Sequence, residues 1–251
     1  MAITGPLLVR TTCAQNGLQL SDEQLRLLEE YAVRLVGWNR KLNLVSRRDE
    51  ENLWTKHILH CLSLVFKVEI AKGVKMLDLG TGGGLPGVVL KIARPDLLFT
   101  LLDSTQKKIN VVKDLLDSLG LAGIDAVWGR AEDLGKQNEY ARQYDIVVAR
   151  AVAPLKDLTR WSYPFLKRNA SGVEARGEDT PSPTKKQING PALVAFKGGD
   201  LDDEIRQLRI HPYIGAISTI ELTLAGSTQL EDRDKKIVIV EYARSQGQKA
   251  E

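Results

Sequence analysis

Residues 75–87 read KMLDLGTGGGLPG, and this stretch decides how the rest of the chain is interpreted. A short apolar run, Lys75–Leu79, leads into a turn packed with glycine, and Pro86 stands where the first turn of a helix would begin. Glycine is required where the backbone takes a positive φ or where a ligand must approach the main chain. The stretch therefore predicts a strand, a ligand-binding turn and a helix in direct succession.

The glycines of this turn fit two registers. Gly82, Gly84 and Gly87 satisfy the G-x-G-x-x-G fingerprint of dinucleotide-binding proteins, which is a weak signal when it stands alone. In the other register, Asp78-x-Gly80-x-Gly82-x-Gly84 resembles the first motif of methyltransferases that bind S-adenosylmethionine. The glycines by themselves leave both interpretations open.

Two carboxylates distinguish the registers. Asp78, one residue from the end of the strand, would repel a dinucleotide pyrophosphate, but it can help hold the ammonium group of a methionine moiety, directly or through water. Asp103 ends the next strand, at the spacing expected for an acid that accepts hydrogen bonds from ribose hydroxyls. The pair favours an S-adenosylmethionine-dependent methyltransferase over an NAD-linked dehydrogenase.

Outward from the turn, short apolar runs alternate with amphipathic stretches, which indicates repeated βα units. We expect an α/β fold with a Rossmann-like sheet, mostly parallel, whose last strand is antiparallel because no helix separates the final two strands. The predicted strands are Lys75–Leu79, Leu97–Asp103, Ile124–Trp128, Tyr144–Ala149, Ala192–Lys197, Ile214–Leu224 and Lys236–Tyr242, and the predicted helices are Gly87–Ala93, Gln106–Leu119, Leu155–Leu166 and Leu201–Leu208.

Two segments do not follow the alternation of strands and helices: one precedes this domain and the other lies within it. Residues 1–73 predict an N-terminal tail and a helical extension, whereas residues 74–251 form the methyltransferase domain. Ser21 and Gln24 make a capping box, so the first ordered element is expected at Ser21, and a second helical stretch runs from about Glu50 to Phe66. Residues 169–189, rich in Ser, Pro, Gly and charge, predict a mobile surface insertion.

The composition excludes several classes of protein. The chain has 251 residues and a formal charge of +3, which permits an anionic partner without demanding one. Cys13 and Cys61 are the two cysteines and form no C-x-x-C pair, so neither a metal site nor a disulfide framework is predicted. No signal peptide and no membrane-spanning run is recognisable, and we therefore predict a cytoplasmic protein without a membrane partner.

The methyl acceptor can be narrowed by what the sequence lacks. The fourth strand of the domain runs into Arg150-Ala151-Val152-Ala153-Pro154, not into the Asn/Asp-Pro-Pro-aromatic turn that clamps an exocyclic amine. Neither cysteine is placed to serve as the thiolate nucleophile that carbon methylation of pyrimidines needs. A ring nitrogen or an oxygen remains, and guanine N7 has a free lone pair that requires no base.

Taken together, the motifs resemble the ribosomal RNA small subunit methyltransferase G family, also called glucose-inhibited division protein B. The resemblance covers roughly Leu18 to Tyr242. It implies a class I methyltransferase fold and N7-methylation of one guanine in the decoding-region loop of 16S ribosomal RNA in the small ribosomal subunit. We infer no obligate protein partner. The motifs in family order are WNRKLNLVS at 38–46, HIL at 57–59, the glycine turn, GRAED at 129–133, ARA at 149–151 and FKG at 196–198.

The resemblance also implies site residues. Asn43, Arg150 and Lys197 are expected around the guanine, and Arg150 also faces the cofactor. A run of positive charge suggests that Arg47, Arg48 and Lys56 contact RNA phosphates, although a merely solvated surface is the alternative. The cofactor contacts, together with those argued for the turn, are Asp78, Gly80, Gly82, Leu85, Asp103, Ser104, Thr105, Ala131, Glu132 and Arg150.

One position departs from the family pattern. His60-Cys61-Leu62 follows His-Ile-Leu where the family usually has Asp-Ser-Leu, so a carboxylate that supports the site is missing. We assign no role to His60 or Cys61. A non-catalytic RNA- or ribosome-binding module is a third alternative, against which the intact Asp78 and Asp103 argue.

Overall fold

The computed structural model describes residues 5–168, 185–188, 190–225 and 234–243, with the exception of the side chains of Arg47 and Arg48. Apart from residues 185–188, the predicted insertion at 169–189 lies outside the described residues. The predicted domain boundary between residues 73 and 74 stays a prediction.

The centre of the molecule is a seven-stranded sheet. Strand bounds in the described residues are β1 (Val68–Glu69), β2 (Lys75–Leu79), β3 (Leu98–Asp103), β4 (Ile124–Trp128), β5 (Ile146–Arg150), β6 (Lys186–Gln187), β7 (Ala192–Gly198), β8 (Ile214–Glu221) and β9 (Lys235–Tyr242). The sheet order is β4-β3-β2-β5-β7-β9-β8, while β1 and β6 form a separate pair. The first five strands of that order are parallel, and β9 is antiparallel to both neighbours. The predicted Rossmann-like sheet is therefore confirmed.

Helices cover both faces of this sheet. The α-helices in the described residues are α1 (Gly5–Gln15), α2 (Asp22–Asn39), α3 (His60–Lys67), α4 (Gly87–Ala93), α5 (Gln106–Leu119), α6 (Ala131–Leu134), α7 (Leu155–Ser162) and α8 (Asp202–Leu208). Helices α1 to α5 pack in one hydrophobic cluster and α6 to α8 in the other, because alternate residues of each strand face opposite sides. Among the described helices, none combines the length and apolar character that a bilayer crossing requires.

The N-terminal extension is built into the first cluster. Ser21 and Gln24 form the predicted capping box at the start of α2, and the Gln24 side chain also donates to the carbonyl oxygens of Ile92 and Ala93 at the end of α4. The prediction that Ser21 begins the first ordered element is wrong, because α1 precedes it and buries Cys13 completely. The sequence of α1 has no clear polar face that would have indicated a helix.

The second helical stretch is less regular than its sequence predicts. Instead of one helix from about Glu50 to Phe66, a 3-10 helix (Arg47–Asn52) leads into a π-helix (Leu53–Leu59) and then into α3. π-Helical segments often occur at functional sites. This one carries His57, and α3 begins with His60, so both histidines lie at the carboxyl edge of the sheet.

Candidate active site

A cavity of about 590 Å³ opens at the carboxyl ends of β2, β3, β4 and β5. Ligands of open α/β sheets bind at this edge, where the strand order reverses. We call it the first cavity. Its wall consists of Leu44, Val45, Ser46, Asp49, His57, Leu79, Gly80, Thr81, Gly82, Gly83, Leu85, Leu102, Asp103, Ser104, Thr105, Lys108, Gly129, Arg130, Ala131, Glu132, Arg150, Ala151, Val152 and Trp161.

The glycine turn forms the floor of the first cavity. Gly80 and Thr81 donate their backbone N–H groups to the Leu102 carbonyl oxygen at 2.8 and 2.9 Å, which ties the turn to β3. Gly80 has a φ of 74°, and a Cβ there would lie 2.7 Å from a methyl carbon of Val152. A side chain at this position would therefore be strained and would also collide with the cavity wall.

Asp78 lies behind this floor. Its carboxylate is fully buried, and Oδ2 accepts hydrogen bonds from the Thr81 hydroxyl at 2.7 Å and the Gly87 backbone N–H at 2.8 Å. Burial raises the pKa of the Asp78 carboxyl to about 7. Asp78 does not line the first cavity, because its side chain braces the turn from inside, and its predicted contact with a ligand ammonium group, directly or through water, stays a prediction.

Asp103 stands at the opposite side of the turn and lines the cavity. Its Oδ2 accepts the Gly82 N–H at 3.0 Å, and its Oδ1 accepts the Thr105 N–H at 2.8 Å. A carboxylate oxygen can accept more than one hydrogen bond, so both oxygens can still receive a hydroxyl. The side chain, about 7% exposed, is thus fixed in one orientation at the cavity wall.

The remaining predicted cofactor residues surround the same space. Ser104 and Thr105 follow β3 and are exposed, whereas Ala131 and Glu132 begin α6 beyond the end of β4. Leu85 is buried against the cavity. Of the predicted cofactor set, all but Asp78 line the first cavity, and their roles as ligand contacts remain predictions.

A second cavity, also of about 590 Å³, adjoins the first. The two share Asp49, His57, Arg150, Ala151 and Val152, so they are neighbours along the edge of the sheet. The residues that line only the second cavity are Lys56, His60, Ala153, Phe196, Lys197, Gly198 and Lys235. A ligand in one cavity and a ligand in the other would meet beside Arg150.

Arg150 ends β5 between these cavities. Its guanidinium donates to the Lys56 carbonyl oxygen at 3.2 Å and contacts Nδ1 of His57, with a longer contact of 3.4 Å to Nδ1 of His60. Burial, and secondly the Arg150 charge, lower the pKa of His57 to about 4 and that of His60 to about 3. Both histidines are therefore neutral at neutral pH. The one departure from the family pattern, at His60, falls on a residue that contacts Arg150.

Lys197 lies near the end of β7 and lines the second cavity. Its Nζ is 3.3 Å from the Ala153 carbonyl oxygen and 3.3 Å from Oε2 of Glu204, and its side chain is 15% exposed. The same Glu204 oxygen accepts the Leu155 N–H at the start of α7 at 2.6 Å. Lys197 thus presents a cation to the cavity and is held in place by its ion pair with Glu204.

The residues predicted to face RNA do not share one cavity, unlike most of the predicted cofactor residues. Asn43 is exposed, directly before the segment 44–46 that borders the first cavity. Lys56 lines the second cavity and forms an ion pair with Asp49 at 3.0 Å, with its side chain 54% exposed. The side chains of Arg47 and Arg48 lie outside the described residues, so their predicted contacts stay predictions.

Sequence reasoning missed four polar residues of the second cavity. His57 appeared only within a motif, His60 was left without a role, Lys235 lies at the start of β9, and Asp49 pairs with Lys56. The departure from the family pattern was a usable signal for His60. No local pattern distinguishes Lys235 or Asp49 from other surface charges, because only the fold brings them to this edge.

Comparisons with known proteins agree with this architecture. The sequence model of the family described as rRNA small subunit methyltransferase G matches residues 24–189. A Ribosomal RNA small subunit methyltransferase G from Moorella thermoacetica is 41% identical over 201 residues, covering 77% of this chain and 84% of the relative. The protein of the same name from Chlorobium limicola is 34% identical over 231 residues, covering 91% and 93%.

A solved structure extends the comparison to the fold. A protein described as a predicted O-methyltransferase from Agrobacterium tumefaciens aligns with a TM-score of 0.53 at 15% identity, covering 74% of this chain and 81% of that one. At that identity the likeness concerns the fold alone. The sequence matches do not favour the NAD-linked dehydrogenase or the non-catalytic module. The chain belongs to the rRNA small subunit methyltransferase G family, whose activity is S-adenosylmethionine-dependent methylation of 16S ribosomal RNA.

Proposed function

We propose that this chain methylates N7 of one guanine in the decoding-region loop of 16S ribosomal RNA, with S-adenosylmethionine bound in the first cavity and the guanine in the second. The observation that carries the choice of N7 is the chemistry of the second cavity, where cations are abundant and no group among the described residues is free to act as a base. The proposed substrate also places the enzyme in the cytoplasm.

The first cavity suits the cofactor by its size and its donors and acceptors. Small-molecule sites usually have volumes of roughly 300–1,000 Å³, and 590 Å³ falls within this range. Asp103 would hold the ribose hydroxyls, because its carboxylate is fixed at the wall by two backbone amides. Glu132, at the start of α6, would lie beside the adenine, and the glycine floor would allow close approach of the methionine moiety.

The second cavity lacks a free base. Asp49 is paired with Lys56, which lowers the pKa of its carboxyl, so it is a weak proton acceptor. His57 and His60 are neutral, but their Nδ1 atoms contact Arg150 and their Nε2 atoms are buried. Methylation of an oxygen or of a protonated ring nitrogen requires loss of a proton, whereas guanine N7 offers a lone pair directly.

The chain's contribution is then positioning and electrostatics. S-adenosylmethionine supplies an electrophilic methyl group on a sulfonium centre. Arg150, shared by both cavities, would contact anionic groups of cofactor and RNA. Lys197 would orient the guanine through O6 or a neighbouring phosphate, since its ammonium lines the second cavity.

The site of methylation is the decisive test. Purified protein is incubated with S-adenosylmethionine and either 16S rRNA or small subunits from cells that lack the gene, and the digested nucleosides are examined by mass spectrometry. We expect 7-methylguanosine in the decoding-region fragment. A methyl group on an exocyclic nitrogen, a ring carbon or a ribose oxygen would overturn the proposal.

Single-turnover kinetics test the residue roles. Lys197→Ala should slow methylation while cofactor affinity stays nearly intact, whereas Arg150→Ala should impair both. Lys156→Ala, at an exposed position of α7, is the matched control and should react at the wild-type rate. If Lys197→Ala methylates like the wild type at saturating RNA and cofactor, Lys197 has only a structural role through Glu204.

A further inference from the structure

Arg150 is held by an unusual pair of partners. Its guanidinium contacts Nδ1 of His57 and lies 3.4 Å from Nδ1 of His60, and no carboxylate is among the partners that the structure describes for it. A guanidinium can only donate hydrogen bonds. In a hydrogen bond with this guanidinium the Nδ1 atom of an imidazole can only be the acceptor, which leaves the proton of a neutral ring on Nε2.

The opposite edges of the two rings are buried. Within the described residues, neither His57 Nε2 nor His60 Nε2 has a hydrogen-bond partner. An unsatisfied buried N–H group is unfavourable, so these two ring edges add no hydrogen bond that stabilises the fold. Polar groups that are kept at a cost to stability are often retained for a function at the site, and here they converge on Arg150.

The surrounding elements fix the rings in place. The π-helix carries His57, and α3 begins at His60, so the two side chains reach the same guanidinium from consecutive turns. The His60 ring packs edge-on against Phe196, with ring centroids 5.2 Å apart. Phe196 is paired in register with Arg150 across β5 and β7, so one strand pair positions both the arginine and a histidine that contacts it.

Neutral partners leave the charge of Arg150 available. Burial keeps both histidines deprotonated. The Lys235 cation disfavours protonation of both and the Lys56 cation that of His57, opposed at His57 by Asp49 and at His60 by the Lys56 backbone carbonyl. A carboxylate in place of an imidazole would compensate the guanidinium charge. Two neutral acceptors fix its orientation while its full charge still faces the cavities.

We propose that His57 and His60 are positioning residues, which hold the Arg150 guanidinium between the two cavities by accepting its N–H groups on their Nδ1 atoms. Their contribution to catalysis rests on the function proposed above, whereas the hydrogen-bond geometry does not. The arrangement is specific to a chain that has histidine at position 60.

Nuclear magnetic resonance tests the geometry without any activity measurement. The chain has three histidines, and His211→Gln removes the signal of the third, which stacks with Tyr213 outside both cavities. Long-range proton–nitrogen spectra of the ¹⁵N-histidine-labelled protein at pH 7.5 should give the Nε2–H tautomer for both His57 and His60. An Nδ1–H tautomer, or a protonated imidazolium, at either residue would overturn the proposal even if methylation proceeds normally.

Paired substitutions test the positioning role. The amide oxygen of Asn lies as far from the backbone as Nδ1, whereas the terminal amide of Gln replaces Nε2. His57→Asn should therefore keep the single-turnover rate within about threefold of the wild type, whereas His57→Gln should lose about 100-fold, the usual effect of a displaced catalytic group. His60→Asn and His60→Gln should differ in the same direction.

Folding is monitored by circular dichroism and by the thermal midpoint of each variant. Equal rates for the Asn and Gln variants would contradict the positioning role. Should a variant fail to fold, the tautomer measurement on the native sequence still decides the geometry.

Discussion

Asp103 combines a structural and a ligand-binding task in one side chain. Both of its oxygens accept backbone N–H groups, which orients the carboxylate before any ligand arrives. We predict that Asp103→Ala weakens S-adenosylmethionine binding by about 1.5–3 kcal/mol, the scale of a hydrogen bond to a charged group. Isothermal titration calorimetry measures this loss. Tight NAD binding without S-adenosylmethionine binding would contradict the cofactor assignment itself.

Asp78 is the residue whose sequence interpretation changed most. Its place one residue from the end of a strand predicted a contact with the ligand, but a sequence does not reveal which side of a turn a side chain faces. In the fold it is fully buried and accepts hydrogen bonds from Thr81 and Gly87. Asp78 therefore braces the turn in this fold, and its predicted contact with the ligand stays a prediction.

The burial of Asp78 predicts a specific pH dependence of stability. Its pKa rises from the usual 3.8 to about 7 in the folded protein, so between these values the folded state keeps a proton that the unfolded state has lost. The contribution of Asp78 to the free energy of unfolding should therefore decline as the pH rises from 4 to 7, by at most about 4 kcal/mol.

An Asp78→Asn variant isolates this contribution, because an amide stays neutral at every pH. Relative to the wild type, the variant should gain stability as the pH rises from 4 to 7 in urea unfolding experiments. Asp133→Asn, at an exposed position, is the control for the loss of a carboxylate. A difference between Asp78→Asn and wild type that is independent of pH would contradict the assigned burial effect.

At the scale of elements, the glycine turn depends on close packing as much as on backbone freedom. A Cβ on Gly87 would lie 2.2 Å from a methyl carbon of Leu101 and 2.8 Å from Oδ2 of Asp78. We predict that Gly87→Ala lowers the free energy of unfolding by about 1–3 kcal/mol, the usual cost of overpacking. Cofactor affinity should fall as well, because the displaced Asp78 no longer braces the turn.

Gly37 provides the matched control for this substitution. It lies within α2, and a Cβ there would meet no atom within 4 Å. Gly37→Ala should therefore raise the free energy of unfolding by up to about 1 kcal/mol through helix propensity. Chemical denaturation of both variants checks the pair, and equal stabilities would contradict the packing argument.

Regular periodicity made most elements predictable. The bounds of α4 and α5 agree with the sequence prediction to the residue, because Pro95 follows the end of α4 and Gly120 ends the amphipathic α5. The π-helix at Leu53–Leu59 could not be predicted, since its apolar residues also fit an α-helix. The element that was missed carries His57, one of the two histidines that contact Arg150.

For the whole molecule, the sequence predicts the edge of the sheet at which the site lies but not its division into two cavities. Arg150 and Lys197 were expected at this edge because each lies at or near the end of a parallel strand. Lys235 belongs to the antiparallel β9 and reaches the same edge at its amino end. The position of Lys235 at this edge follows from the antiparallel direction of β9, and no sequence motif predicts it.

RNA binding depends on charges spread over the surface of the molecule, and we therefore predict that the binding constant depends on salt concentration. Lys56 is half-exposed at the second cavity, and the sequence places Arg47 and Arg48 shortly before it. If the three cations contact phosphates, replacing all three with Gln releases about three fewer counterions on binding. The slope of log binding constant against log salt should then flatten by about 2, equally for related and unrelated RNA sequences.

The control for this experiment replaces three exposed cations near the amino edge of the sheet, Lys113, Lys136 and Arg142, with Gln. It carries the same change in net charge, so a general electrostatic effect would act on both triple variants. We expect the control to keep the wild-type salt slope and both variants to bind S-adenosylmethionine normally, because neither Lys56 nor any of the three control residues lines the first cavity. An unchanged slope for the Arg47, Arg48 and Lys56 variant would mean that these side chains are only solvated, and the RNA would then have to be held by cations nearer to Lys197 and Lys235.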